Sequence, residues 1–392
     1  INQFGNSTRE PQRHTQNLFQ TMDNLVLTRG NHALKMGVSW SRFQYNAANQ
    51  AGFPGSYTWL TLNDFLVNEV FSALHFFSTP YTTGIRQNLI GLYLQDDFQV
   101  SPNLTLNLGL RHEFITNPTE VNDIIGKITT AGQTEPTIGG NLFNRNPSLK
   151  NFSPRVGFAW DPTGRGKYSV RGGFGLFHDQ LLPWIYTLTP GRGKPFAVQS
   201  DYDTEQGDTI IFPDTLRNSS ITDRAVQAPN VAETFEVEQP YIMQWNLSIQ
   251  REILPGMALT ATYSSSRGVN LIRNASINRP AGILVDGRRF FDPNTPEGTE
   301  RAFPAYGSLS ASIGDANSWY NGLKLGLQKR FSSGFQYQIS YHWQKFMDEA
   351  STHGGHGETR TSSTTSMDWE DHTFDRGLSG WNTPHTFSSN FS

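Results

Sequence analysis

The sequence predicts an all-β fold, an antiparallel meander of about eleven strands. Three observations predict it: apolar and polar residues alternate along many segments, short turns join these segments in pairs, and long polar stretches separate the pairs. The stretch QVSPNLTLNLGLRHEF shows the alternation, since four leucines and a phenylalanine share one parity from Leu104 to Phe114. Successive side chains of a strand point to opposite faces, so this strand has one apolar face and one polar face.

Five short turns join the predicted strands, and each contains an odd number of residues. The predicted turns lie at 29–31, 101–103, 161–167, 254–256 and 332–334. An odd loop keeps the apolar residues of both strands on one face of the sheet. Asn103 occupies the last position of its turn, where three-residue hairpin loops commonly require a positive φ. The predicted cross-strand pairs are Met22–Val38, Leu94–Leu110, Val100–Leu104, Phe158–Val170, Leu247–Tyr263 and Leu325–Tyr341.

The connections between the hairpins are long and polar. They lie at residues 46–86, 117–151, 179–240, 268–318 and 347–383, and they show no helical period. Compact soluble domains seldom contain several structureless connections of this length. Short turns at one end of the strands and long loops at the other are typical of an outer-membrane barrel, whose short turns are periplasmic. The sequence therefore predicts part of a transmembrane outer-membrane β-barrel with long extracellular loops and leucines that contact lipid.

Composition excludes several classes of protein. The formal net charge of −3 over 392 residues lacks the basic excess of a nucleic-acid-binding protein, so we expect no nucleic-acid partner. The absence of cysteine excludes disulfides and thiolate metal sites. No apolar run reaches the roughly 18 residues that a transmembrane helix needs.

A secreted β-sandwich or propeller is the soluble alternative, because it also contains alternating strands with one apolar face. Asp96 favours this alternative, since it shares the parity of Leu94 and Phe98 and a carboxylate facing lipid is unfavourable. The cost falls to about 0–1 kcal/mol near the membrane interface, and a β-bulge at residues 95–97 would also turn the side chain away. The membrane barrel therefore stays the prediction.

Particular stretches resemble a known family. GLYLQDDFQVSPNLTLNLGLRHEF (91–114) resembles a segment of TonB-dependent outer-membrane receptors, particularly the Oar-like group. Four further stretches, at 151–179, 240–268, 321–351 and 374–392, resemble these receptors in the same order. The resemblance implies a transporter, not an enzyme, in the outer membrane of a Gram-negative bacterium, where it takes up a scarce solute with energy supplied through TonB.

The resemblance also implies partners. These are outer-membrane lipid, the N-terminal plug of the parent chain, TonB acting through that plug, and a small or medium solute bound by a monomeric barrel. Siderophore, glycan fragment, peptide and cobalamin-like solutes all stay open. The receptors have a wide barrel closed by the plug, whereas residues 1–392 show about half the strands and no plug, TonB box or signal peptide. We therefore expect a partial barrel truncated at both ends; a plug-less channel or adhesin and a secreted ligand-binding β protein are the alternatives.

Two sets of residues are candidates for ligand contact. The first set has the polar parity and would face the barrel lumen: Asn107, Arg111, Glu113, Arg155, Arg171, Asn246, Gln250, Lys324, Gln328 and Arg330. Most of these are expected to form hydrogen-bonded and ionic ladders or to contact the plug, and a minority to touch ligand. The second set would lie in extracellular loops: Trp184, Tyr186, Tyr202 and Phe212.

Other motifs favour no chemistry. His353 and His356 are three residues apart, but the two glycines between them leave no rigid element to fix metal geometry, so we interpret them as part of a solvated loop. DPTGRGK (161–167) lacks the spacing of a phosphate-binding loop. No catalytic arrangement of serine, histidine and carboxylate is recognisable, so the sequence predicts no cofactor, no metal site and no enzymatic activity.

Overall fold

The structure, a computed structural model, describes most of the chain. The described residues are 12–49, 55–78, 82–127, 133–181, 197–218, 225–226, 238–278, 283–286, 288–290, 310–332, 334–350 and 370–392. The strands are β1 (Gln12–Arg29), β2 (His32–Asn49), β3 (Ser56–Thr58), β4 (Ser72–Ser78), β5 (Thr82–Ser101), β6 (Leu104–Ile115), β7 (Thr119–Glu120), β8 (Gly126–Lys127), β9 (Thr137–Ile138), β10 (Phe152–Trp160), β11 (Tyr168–His178), β12 (Ala197–Asp203), β13 (Ala225–Val226), β14 (Tyr241–Leu254), β15 (Met257–Ser276), β16 (Ile283–Val285), β17 (Arg288–Phe290), β18 (Ser310–Ser332), β19 (Phe335–Asp348), β20 (Gly377–Leu378) and β21 (His385–Phe391).

The helices among the described residues are short. They are α1 (Leu62–Val67) and α2 (Asp214–Asn218), with 3₁₀ turns at Thr204–Gln206 and His372–Asp375. No helix among the described residues is long and apolar enough to cross a membrane.

One antiparallel sheet of 13 strands dominates the structure. Its order is β1-β2-β5-β6-β10-β11-β14-β15-β18-β19-β20, with β21 also beside β19 and β7 beside β5. Apart from the two-residue strands β7 and β20, its eleven members form the predicted meander, which is confirmed. Within the described residues β1 pairs only with β2, and β21 only with β19, so the sheet is open.

The register gives the large sheet two distinct faces, because directly paired residues lie on the same face. One row across the sheet is Leu106, Phe158, Gly172, Leu247, Tyr263, Leu323 and Trp343, and we call its side the apolar face. The neighbouring row is Asn107, Gly157, Gly173, Asn246, Ser264, Gly322 and Gln344, and we call its side the polar face.

Large side chains on the apolar face are exposed. Leu108, Leu247 and Leu325 are 42–43% exposed, so no closed protein core covers them. An exposed apolar surface that extends across so many strands is what lipid covers in an outer-membrane barrel. The soluble sandwich is therefore rejected as a description of this sheet.

β-Bulges change the pairing beside three of the predicted turns. The Leu94–Leu110 pair is confirmed, but β5 continues to Ser101, which pairs with Leu104, and the bulge leaves Val100 outside the ladder. The predicted Val100–Leu104 pair is therefore wrong. Equivalent bulges interrupt the ladders next to the turns at 254–256 and 332–334. Each bulge absorbs one residue, so the strand bodies keep the predicted register.

Positive φ angles occur at two of these turns. Gly256 and Gly334 have φ of 76° and 75°. Asn103 is not among the four described non-glycine residues with positive φ, so that prediction is wrong. Its side chain instead donates from Nδ2 to the carbonyl of Asp161 at 2.9 Å, which links two neighbouring turns.

The first hairpin differs from the prediction by one residue. Only Gly30 and Asn31 form its turn, because Arg29 pairs with His32, and Gly30 adopts a φ of 58° that suits a two-residue hairpin. The predicted Met22–Val38 pair is wrong, since Met22 lies opposite Ser39. A one-residue shift exchanges the faces of the whole strand, so Met22 lies on the polar face.

The turn at 161–167 has the predicted bounds and a shifted register. Phe158 pairs with Gly172 where Val170 was predicted, and Val170 pairs with Trp160. The shift is two residues, an even number, so the apolar residues still share one face.

Asp96 stays on the apolar face. No bulge occurs at residues 95–97, where the ladders on both sides of β5 are regular. Its Oδ2 atom lies 2.7 Å from Nδ1 of His32, and the His32 ring stacks on Phe98 with a centroid distance of 4.2 Å. The carboxylate is therefore accommodated by a partner on the same face, close to the turn end of the strands.

The long connections are not structureless, contrary to the prediction. Segments from 50–81 and 179–240 build a second sheet with the order β13-β12-β4-β3. Helix α1 lies between β3 and β4 in the sequence, and α2 lies between β12 and β13. We call this unit the cap sheet. The β15 and β18 strands also extend into the predicted connection 268–318, as far as Ser276 and from Ser310.

The connection 116–151 folds against the polar face at the loop end of the strands. There Ile125 and Phe143 of the connection pack in one buried cluster with Ile85 and Ile115 of the sheet and with Leu181. The polar face is therefore apolar at this end, which the alternation alone did not predict.

Candidate functional site: the polar face of the sheet

The register places the ten residues proposed for the lumen on one side of the sheet. Asn107 and Asn246 belong to the polar row described above. Each of the other members lies an even number of residues away from the residue of that row in its own strand, so it lies on the same face. The members on the polar face are Asn107, Arg111, Glu113, Arg155, Arg171, Asn246, Gln250, Lys324, Gln328 and Arg330.

Four of these residues lie together at the turn end. Arg171, Gln250, Gln328 and Arg330 line one concave site of about 360 Å³ together with Lys167 and other residues of the turns. Lys324 lines an adjacent concavity of about 210 Å³, to which Gln328 also contributes.

The charge of this turn-end site is predominantly positive. Lys167, Arg171 and Arg330 face a single carboxylate, Glu252, whose Oε1 accepts a hydrogen bond from the backbone N–H of Gly256 at 3.0 Å. Across the described part of the chain, no ion pair involves Arg171, Lys324 or Arg330. These cations are therefore available to an anionic group on the polar face.

Three other predicted residues are held by neighbours. Arg111 Nη2 lies 2.5 Å from Oε1 of Glu113, two residues along the same face. The Nδ2 of Asn107 donates to Oδ1 of Asp97 at 2.7 Å, and Asp97 also pairs with Lys35 at 2.8 Å. The contacts of Asp97 with Asn107 and Lys35 form a cross-strand ladder, and the Arg111–Glu113 pair lies within β6; both leave fewer groups for ligand.

Arg155 makes a different contact. Its guanidinium carbon lies 4.5 Å from the ring centroid of Phe177, within cation–π range. Arg155 is exposed, so its charge stays accessible to solvent.

The loop residues proposed for ligand capture divide into two pairs. Trp184 and Tyr186 lie outside the described residues, as do His353 and His356. Tyr202 and Phe212 belong to the cap sheet and its flanking segment, and Phe212 is 45% exposed.

An aromatic cluster supports the cap sheet. The ring of Tyr57 packs edge-on against Phe212 at 4.9 Å, and its hydroxyl donates to the Pro213 carbonyl at 2.8 Å while accepting from the Leu216 N–H at 3.0 Å. Burial is the main reason why the pKa of Tyr57 lies above its usual value. Tyr57 therefore ties the segment before α2 to β3.

A buried charge network at the loop end escaped the sequence reasoning. Arg273, 1% exposed, binds Asp315 through two hydrogen bonds of 2.6 and 2.9 Å. His372 lies between Asp315 and Glu349, at 3.5 and 3.3 Å. These residues come from β15, β18 and the segments after β19. Because they are far apart in sequence and form no local motif, the sequence does not reveal that they meet.

The described residues do not assemble a metal site. No group of three or more histidine, aspartate or glutamate side chains in the described ranges has a geometry that would hold an ion. The turn-end site on the polar face offers hydrogen-bonding groups and an excess of positive charge.

Comparison with known proteins agrees with this architecture. The whole chain, residues 1–392, matches the family model described as an outer membrane beta barrel domain. The chain is similar to the outer membrane transporter YddB from Escherichia coli, with 11% identity, a TM-score of 0.50 and coverage of 86% of this chain and 34% of that chain. No curated protein matches the chain significantly.

A second solved structure is the ferripyoverdine receptor of the outer membrane of Pseudomonas aeruginosa, with 13% identity, a TM-score of 0.44 and coverage of 97% of this chain and 36% of that chain. The chain therefore spans about a third of the length of these two proteins. The family model, by contrast, covers every residue. The apolar outer surface and the antiparallel meander are the features that such a domain requires in the bacterial outer membrane. The chain belongs to the outer membrane β-barrel domain family.

Proposed function

We propose that this chain supplies part of the barrel of a TonB-dependent receptor, a transporter of the Oar-like group that takes up a scarce solute and is not an enzyme. The single observation that carries the proposal is the two-faced sheet. Its apolar face suits lipid, and its polar face combines paired polar side chains with the uncommitted cations Arg171, Lys324 and Arg330.

The proposal includes an orientation and partners. The short turns face the periplasm, and the cap sheet and the connection 116–151 face the exterior. An N-terminal plug of the parent chain contacts the polar face and is moved through TonB. The excess of uncommitted cations favours a solute that carries negative charge, because a surface of one sign raises the local concentration of the opposite one.

A conductance measurement separates this proposal from a plug-less channel. The full-length gene product is inserted into planar lipid bilayers in potassium chloride, with a general porin as the positive control. A receptor closed by a plug gives no steady conductance until the plug is unfolded with urea, and it binds the purified periplasmic domain of TonB. Steady conductance without urea, together with no binding to that domain, would overturn the proposal in favour of a passive channel.

A further inference from the structure

The cap sheet exposes an apolar stripe on its first helix. Leu62, Phe65 and Leu66 lie at positions i, i+3 and i+4 of α1, so they share one face of the helix. Leu66 is 72% exposed and Leu62 is 64% exposed, and no residue of α1 is buried. Leu62 and Leu66 therefore present an exposed apolar surface, and Phe65 lies beside them with its ring against Trp59.

The stripe continues into the aromatic cluster. The Phe65 ring lies 5.1 Å from Trp59, and Trp59 lies 5.6 Å from Phe212. Ile211, next to Phe212, is 55% exposed. The apolar surface therefore crosses from α1 to the segment before α2, and a continuous exposed patch of this kind commonly marks a binding surface.

The surroundings of this patch are acidic. The described residues of the cap, 55–78 and 197–218, contain seven aspartates and glutamates against one arginine, a formal net charge of −6 where the whole chain has −3. Glu69, Glu205 and Asp214 are exposed, and no ion pair among the described residues involves them. Negative charge of this density attracts cations and repels anionic lipid headgroups.

We propose that the cap sheet docks a cationic amphipathic peptide, whose aliphatic side chains cover Leu62, Leu66 and Phe212 and whose lysines or arginines meet the surrounding carboxylates. The inference rests on the outward orientation proposed above. The turn-end site of the large sheet is predominantly positive, so the peptide favoured by the cap is not favoured there. The cap therefore gives the barrel a second binding surface at its loop end.

A binding measurement tests the inference. The full-length gene product in phosphatidylcholine nanodiscs is titrated against a short fluorescein-labelled peptide of alternating lysine and leucine, and anisotropy reports binding. Saturable binding is expected. It should weaken at least about tenfold in roughly 1 M salt, where the Debye length is about 3 Å.

Variants assign the site. The double variant Leu62→Ser/Leu66→Ser should weaken binding by roughly tenfold or more, since two exposed leucines lose their apolar contact. The charge variant Glu69→Gln/Glu205→Gln should weaken it several-fold at low salt. The matched controls Leu149→Ser and Glu135→Gln alter exposed residues of another connection and should leave binding unchanged.

Several outcomes would overturn the inference. They are equal binding to empty nanodiscs, equal binding of a lysine–serine peptide, binding unaffected by the cap variants, and adsorption of the protein through the cap to phosphatidylglycerol vesicles in place of peptide. Because the assay contains no TonB, its failure and a failure of energised uptake are distinguishable. If the protein binds the peptide but conducts as an open channel, the docking surface is supported and only the proposed receptor function is contradicted.

Discussion

Glu120 shows how a single buried carboxylate holds a connection against the sheet. Its Oε1 accepts the backbone N–H of Gly84 at 2.6 Å, and its Oε2 accepts those of Asn122 and Ile124 at 2.7 and 2.8 Å. The residue is 5% exposed, so water cannot replace these bonds. Hydrogen bonds to an ionised acceptor are stronger than those between neutral groups.

We predict that Glu120→Ala lowers the free energy of unfolding by about 3 kcal/mol, because three backbone donors lose their acceptor. Guanidinium unfolding followed by tryptophan fluorescence in lipid vesicles measures the change. Glu135→Ala, an exposed carboxylate of the same connection, is the matched control and should shift stability by less than about 0.5 kcal/mol. Equal effects of the two variants would contradict the assigned role of Glu120.

Asp161 shapes the turn between β10 and β11 and titrates abnormally. Its Oδ2 accepts the N–H of Gly166 at 2.6 Å and its Oδ1 accepts that of Thr163 at 3.0 Å, and the Gly166 bond is the main cause of a pKa below the ordinary 3.8. An acid with a lowered pKa stabilises the fold above its unfolded pKa and loses that contribution as pH falls through the folded value.

We therefore expect the amide proton of Gly166 to titrate with a midpoint below 3.8, so the turn keeps its conformation at mild acidity and loosens only in stronger acid. Nuclear magnetic resonance of the protein in micelles measures the midpoint. Asp161→Asn should remove this titration. A midpoint at or above 3.8 in the unmodified protein would show that the Gly166 bond does not stabilise the carboxylate.

The polar residues of the large sheet were predictable and their partners were not. Period two is enough to assign Arg171 and Lys324 to one face, because each strand has only two faces. The contacts between Arg111 and Glu113, or between Asn107 and Asp97, depend on side-chain conformations and on the neighbouring strand. The sequence therefore predicts the polar surface, but it does not predict which charges on that surface are already paired.

At the level of elements, the first hairpin gives a sharp test of register. The two-residue turn places Met22 on the polar face and Leu25, opposite Met36, on the apolar face. Since the chain contains no cysteine, Met22→Cys and Leu25→Cys introduce single reactive thiols. A water-soluble maleimide applied to the full-length protein in lipid vesicles should label Met22→Cys and spare Leu25→Cys.

Neighbouring positions of β6 supply the control. Asn107→Cys should be labelled like Met22→Cys, and Leu106→Cys should be protected like Leu25→Cys. The reverse pattern in β1, with β6 behaving as expected, would restore the three-residue turn and contradict the register observed here.

The hairpins were largely predictable because their contacts are local. The Leu247–Tyr263 and Leu325–Tyr341 pairs are confirmed, and the errors lie at bulges, at the turn at Gly30 and in the two-residue register shift beside the turn at 161–167. The cap sheet could not be derived this way, because β4 pairs with β12 across more than a hundred residues. The packing of Ile125 and Phe143 on the polar face has the same origin, since no local pattern specifies where a long connection folds back.

At the level of the whole molecule, the sheet depends on what surrounds it. Its apolar face is exposed along most strands, and its edge strands β1 and β21 each pair on one side only within the described structure. Unpaired backbone groups in lipid cost several kcal/mol each, so a sheet of this kind is stable in a membrane only when both edges are covered. The fold class was predictable from the sequence because every strand has one face toward lipid and one toward water. Apolar and polar residues therefore alternate in the same way along each strand.

The central claim is that the leucines of this sheet contact lipid and the opposite face contacts water. A nitroxide scan of single cysteines from Leu104 to Phe114 in the full-length protein in bilayers tests it most directly. We predict that collisions with oxygen, which dissolves in lipid, peak at Leu106, Leu108 and Leu110. Collisions with a water-soluble nickel chelate should peak at the alternate positions Thr105, Asn107 and Arg111. Leucine positions that are inaccessible to both reagents, as in a closed protein core, would contradict the account.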